Sequence, residues 1–159
     1  MADNKRSAVD VDSIVNKVLE NINFAPSLSL NKAVKLMSAV EDRARAMGKN
    51  IAVAVVNPEG NTVAVHVMDG AYLVSCDVAV KKAYTAVAVK MPTIELQKLC
   101  QPGETFYGLQ ANDKLVIFGG GVPLLHGDKI IGGLGISGGT GEEDHALCEY
   151  AQTLIGKII

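Results

Sequence analysis

Apolar residues at 11, 14, 15, 18, 19 and 22 recur at the spacing of one helical face, with Asp12, Asn16, Lys17, Glu20 and Asn21 on the other side. This predicts a short amphipathic helix, followed by Asn23-Phe24-Ala25-Pro26-Ser27 as a linker. Such a helix is marginal alone, so its stripe must dock, either on its own domain or in a groove of another protein. A second helix is predicted over 30–47, between Ser29 as N-cap and Gly48 just past its end. Its buried stripe is Leu30, Ala33, Val34, Met37, Val40, Ala44 and Met47.

The period then changes. Residues 51–56 and 62–68 are β-rich runs joined by Asn57-Pro58-Glu59-Gly60, whose Pro and Gly suit a type I turn in a hairpin. An Ala- and Val-rich helix is predicted over 72–90, ended by Pro92, with a shorter one over 93–99. Further on, 115–118 reads as a short strand, and 122–126 pairs with 129–136 across Gly127-Asp128, a type II′ turn sequence. The last helix spans 142–155, opened by Thr140 and Glu143 at capping-box spacing. Hairpins at both ends predict an antiparallel sheet with helices packed on it, an α+β fold. The chain divides into a helix and linker at 1–27 and one domain at 28–159.

Composition narrows the function. Of 159 residues 48% are hydrophobic but only 4% aromatic, so Val, Ala, Ile and Leu must build the core. A net charge of −2 offers no basic stripe for nucleic acid. No apolar run approaches the roughly 20 residues that span a bilayer, and the polar N-terminus lacks the pattern of a secretory signal. Cys76, Cys100 and Cys148 lack CxxC spacing, which points away from disulfides and zinc and toward a reducing, cytoplasmic setting.

Candidate chemistry lies in the C-terminal third. Residues 133–138 match GxGxxG, yet the sequence stops at Ile159, directly after the following helix, leaving no second parallel strand for a dinucleotide fold. The glycines of Gly138-Gly139-Thr140-Gly141 suit either an anion-binding nest or a structural cap, and Glu142, Glu143 and Asp144 favour the cap. Gly119, Gly120 and Gly121 form a second cluster. With Ser137, Gly138 and Gly139 they would suit a flat ligand pressed against backbone. Lys81 and Lys82 interrupt an apolar helix, and either could pair with Asp69 or Asp144. Asp69, Lys82, Ser137 and Asp144 would together line a pocket for a small metabolite, with Lys82 neutralising an acid group. His66, His126 and His145 show no metal-binding spacing; His126 and His145, near element ends, are the better placed to ligate iron, and His66 lies on a predicted strand.

Several stretches taken together resemble the GlcG/HbpS heme-binding family. They are Met68-Asp69-Gly70-Ala71, Val80-Lys81-Lys82-Ala83-Tyr84-Thr85-Ala86, Gly119-Gly120-Gly121-Val122-Pro123-Leu124, Ile131 to Gly139, and Glu143-Asp144. Gln101-Pro102-Gly103 with Tyr107-Gly108-Leu109 is most similar to the C-terminal domain of PduO-type proteins from propanediol-utilising microcompartments. Their corrinoid adenosyltransferase domain has no counterpart here. The resemblance implies a profilin-like fold, an antiparallel five-stranded sheet flanked by helices. It also implies heme as cofactor and dimer-based homo-oligomers, often octamers, but it transfers no axial histidine. Beside such a body, the helix at 11–22 is similar to the encapsulation peptides that bring cargo into bacterial microcompartments, where it would meet shell or cargo proteins. A heme-binding accessory protein is the expectation, against a metabolite- or corrinoid-handling enzyme or chaperone, or a ligand-free assembly protein.

Overall fold

The unbroken apolar run at 51–56 requires a strand covered on both faces, and the computed structural model builds it so. The structure describes residues 28–158 together with Val11, Ile14 and Val15. Strand β1 (Ala52–Val56) is buried along its whole length. It sits inside a four-stranded antiparallel sheet that also contains β2 (Thr62–Val67), β3 (Gly121–His126) and β4 (Lys129–Ser137), in the order β2-β1-β4-β3. Alternation along β1 sends Val53 and Val55 into one core and Ala52, Ala54 and Val56 into another. The first core is closed by α1 (Leu30–Ala46) and by the C-terminal helix, the second by α2 (Ser75–Val89). Helix α3 (Thr93–Leu99) and a 3-10 turn (Leu109–Ala111) follow α2, and α4 (Gly141–Ile158) ends the described fold.

The two faces are packed differently. Leu36, Met37, Val40, Leu134, Ile136 and Leu147 fill the first with aliphatic side chains. On the second, α2 lies almost on the backbone of β4. A Cβ on Gly133 would come within 2.5 Å of Ala83 O, and one on Gly135 would overlap Ala79 O. The glycines of the GxG segment therefore admit a helix rather than a nucleotide.

Local signals explain the element ends. Ser29 Oγ accepts from Lys32 N, and past the last turn of α1 Gly48 (φ +67°) and Lys49 donate to Arg45 O and Ala44 O, a Schellman closure. Gly60 N donates to Asn57 O, and Gly60 itself is left-handed at φ +82°, giving the type I turn with a left-handed glycine that matches strand twist. Thr140 and Glu143 exchange both capping-box bonds, at 2.9 and 3.2 Å.

One strand and one helix start differ from expectation. The sheet has four strands, not five: the Leu115-Val116-Ile117-Phe118 run, expected as a short strand, does not join it. Val116 N instead donates to Thr85 Oγ1 on α2 at 3.0 Å, so a buried side chain satisfies the amide that a ladder would have used. Helix α2 begins at Ser75 rather than at 72, because Ala71 N and Ser75 N close turns onto Met68 O and Tyr72 O. Of the helix expected at 11–22, only Val11, Ile14 and Val15 are described; all three are helical and exposed, and the rest lies outside the described residues.

Candidate functional site

Two charged clusters stand out, one closed and one open. In the closed cluster Lys82 faces inward on the same side of α2 as Ala79, Ala83 and Ala86. Its Nζ donates to Asp144 Oδ2 at 2.7 Å and to Ile136 O at 2.8 Å, and lies 4.9 Å from the Phe118 ring centroid. Asp144 is in the first turn of α4, and its Oδ1 accepts from Gly139 N at 2.8 Å. Both side chains are at most 3% exposed, so each charge is compensated within the chain. Ser137 Oγ donates to Ser75 Oγ at 3.3 Å beside them.

The two glycine clusters do meet, since Ile136 N donates to Gly120 O at 2.7 Å and Gly119 lies against Gly141. The space they leave is filled by the protein itself. A Cβ on Gly120 would meet Asp144 Cβ, Ile136 O and Lys82 Nζ within 2.7 Å, and one on Gly121 would meet Lys82 O and Thr93. Gly138 is pressed on Asn50 and Ile51. Of the two readings of the Gly138–Gly141 segment, the structural cap is the one built: Gly139 N–H serves Asp144 and Thr140 N–H serves Glu143. Glu143 also accepts from Lys49 Nζ at 2.8 Å, and this bond, with that from Thr140, holds its carboxyl below the usual carboxylate range. Within one protomer these glycines serve close packing.

The open cluster lies on the other side of the sheet edge, where β2 leaves the fold. A cleft of about 630 Å³ opens between α1 and the segment that follows β2, lined by Glu41, Arg45, Asn50, His66, Met68 and Asp69 among others. His66, paired with Val53 in the ladder, shares the α1 side of the sheet, and its Nδ1 is 2.6 Å from Glu41 Oε1. An ionised carboxylate only accepts, so Nδ1 carries the hydrogen, and in the neutral ring Nε2 keeps its lone pair. The His66 side chain is 34% exposed, and among the described residues no hydrogen bond engages Nε2. Asp69 thus belongs to this cleft; Lys82, Ser137 and Asp144 belong to the closed cluster.

The other histidines are less equipped. His126 is exposed at the end of β3. His145 is on α4, with Nε2 3.8 Å from Glu149 Oε1 and Nδ1 buried without a partner among the described residues. Burial pushes the Cys100 and Cys148 thiols up, which makes them poor nucleophiles and poor metal ligands. Sequence reasoning missed the His66–Glu41 contact. Nothing in a 25-residue separation links a helix to the second strand of a hairpin; only the alternation that puts His66 on the same side as Ala64, away from Val65, hinted at the face it shares.

The antiparallel sheet sandwiched between α2 and the α1–α4 pair is a frame shared with known proteins. The profile described as "haem degrading protein HbpS-like" matches residues 28–153, and the chain belongs to that HbpS-like family. It is 41% identical over 127 residues to a 15.0 kDa protein of Citrobacter freundii encoded between dhaT and dhaS, covering 79% of this chain and 89% of that one. It is also 41% identical over 134 residues to the corrinoid adenosyltransferase PduO of Salmonella typhimurium, but that match takes in 83% of this chain and only 39% of PduO. Among solved structures, a PduOC:heme complex superposes with TM-score 0.77 at 40% identity, covering 80% of this chain and 94% of that one. A double mutant of HbpS from Streptomyces reticuli superposes with TM-score 0.75 at 29% identity over 84% of this chain and 90% of that one.

Proposed function

We propose that this protein is a heme-binding accessory protein that acts as cargo of a bacterial microcompartment. The observation that carries the reading is the 40% identity to a domain solved with heme, over 94% of that domain. The residues present suit the group. The cleft at the β2 edge offers an imidazole with one nitrogen outside any hydrogen bond among the described residues, the half-exposed Val67 and partly buried Met68 as apolar surface, and at its edge Arg45, now paired with the exposed Asp42. Bound heme would supply an iron centre for redox or ligand chemistry, while the chain binds, orients and partly shields it. The corrinoid chemistry of PduO is not part of this reading.

Two further elements of the proposal concern assembly. Residues 1–27 serve as an address helix; Val11, Ile14 and Val15 are helical with 63%, 49% and 47% of their surface exposed, as a stripe awaiting a partner would be. The domain forms a homo-oligomer through surfaces that include Tyr72, Leu73 and Val74, three successive apolar residues that are 71%, 99% and 61% exposed. No helix among the described residues is long and apolar enough to cross a membrane.

Removing residues 1–27 tests the address. The reading expects an intact oligomer by light scattering and loss of co-localisation with microcompartment shells. Unchanged co-localisation would contradict it, and a collapsed oligomer would assign the helix to the fold instead.

A further inference from the structure

We infer that His66 is the protein ligand to the heme iron, with Glu41 as the residue that orients it. This deepens the heme-binding reading and rests on it. A bare metal ion needs about four protein ligands, and the described residues contain no cluster of three His, Cys, Asp or Glu side chains that could hold one. Heme iron brings four nitrogens of its own and asks the protein for only one or two ligands. A single well-held imidazole in a roomy cleft is therefore the arrangement to look for.

Among the described residues only His66 has that arrangement. Metal-binding imidazoles commonly give their second ring N–H to a carboxylate, which fixes the tautomer and raises the basicity of the ligating nitrogen. Glu41 does this for His66 at 2.6 Å. Glu41 is itself 14% exposed and 3.7 Å from Arg45 on the next turn, so it is held in place. The free Nε2 belongs to a side chain lining the 630 Å³ cleft, and Val67, 51% exposed on the same strand, adds apolar surface at its mouth. Arg45, 56% exposed, is the one Arg or Lys among the described residues lining the cleft; it pairs with Asp42 at 2.6 Å and lies 3.7 Å from Glu41, so a heme carboxylate would reach it only by displacing the exposed Asp42. His126 has no orienting carboxylate among the described residues, and His145 has its Nδ1 buried and lines none of the clefts described.

The test uses the full chain with hemin, reading the Soret band and the low-temperature electron spin resonance signal. His66→Gly is expected to lose the imidazole-ligated spectrum, and added free imidazole is expected to restore it. His126→Ala and His145→Ala are expected to keep the parent spectrum. Glu41→Gln is expected to keep imidazole ligation but weaken hemin affinity about 10–100-fold, the usual cost of losing an outer partner. An unchanged spectrum in His66→Gly, or loss of it in either of the other histidine variants, would overturn the assignment while leaving heme binding intact. Failure of the parent chain to bind hemin would instead remove the heme-binding reading and this assignment with it.

Discussion

Lys82–Asp144 and His66–Glu41 are contacts of nearly equal length, 2.7 and 2.6 Å, made by opposite kinds of site. The first has side-chain exposures of 1% and 3%, the second 34% and 14%. The charges of the first are engaged inside the chain: Lys82 donates to Asp144 and Ile136 O and lies over the Phe118 ring, and Asp144 accepts from Lys82 and Gly139 N. In the second, one ring nitrogen is used, the other has no hydrogen bond among the described residues, and the side chain lines a cleft. A saturated, sealed pair holds α2 to α4 and fixes how the helices sit on the sheet. An unsaturated, accessible one has chemistry to offer. The difference shows why two charged residues embedded in the family-like motifs, Lys82 and Asp144, are part of the frame, while a histidine outside any recognisable spacing is the ligand candidate.

The sharpest way to break that comparison is to unpair the buried charge. Lys82→Ala leaves Asp144 buried without its cation and should cost about 3–5 kcal/mol in a denaturant melt, close to the whole stability of many domains. Lys82→Met with Asp144→Leu should recover much of that loss, because no charge is then stranded. Gly135→Ala comes next. Its Cβ would overlap Ala79 O, so α2 must lift from β4, at a cost of about 1–3 kcal/mol or more. A wild-type melt for this variant would mean that α2 does not lie on β4 as described. His66→Asn should change stability by no more than about 1 kcal/mol, since a half-exposed pair contributes little, although it removes the proposed iron ligand. Loss of both fold and hemin binding would make His66 structural after all.

The smallest effect is a pH dependence. The folded-state pKa of Glu143 lies below its ordinary value of 4.5, first through the Lys49 bond and then through the Thr140 amide. A depressed carboxyl stabilises the fold above that ordinary value, and the contribution is lost as pH falls through the lower folded-state value. Glu143→Gln should therefore melt slightly below the parent at neutral pH, and the gap should close in acid. A gap that is constant across the acid range would assign the effect to helix propensity or packing rather than to charge.

Much of the frame was legible because it is written in local chemistry. The Ser29 cap, the Asn57–Gly60 turn, the Thr140–Glu143 box and the β-rich run at 51–56 each follow from a few neighbouring residues. Partnership of Lys82 with Asp144 was one of two pairings the sequence allowed, and the fold selected it over Asp69. The glycine clusters were legible as places of close approach, but not what approaches; that is set by α2, whose Ala79 and Ala83 carbonyls lie over β4. The segment at 115–118 has strand composition yet gives its amide to Thr85, a choice made far back along the chain. His66 and Glu41 meet only because a hairpin edge passes beneath α1, and no local pattern encodes that.

The most direct measurement is the position of iron in crystals of the full chain grown with hemin, located by anomalous scattering at the iron edge. The account predicts one peak per protomer within bonding distance of His66 Nε2, with Glu41 still on Nδ1. A peak beside His126, His145 or the Gly119–Gly121 rim, with the β2-edge cleft vacant, would contradict it.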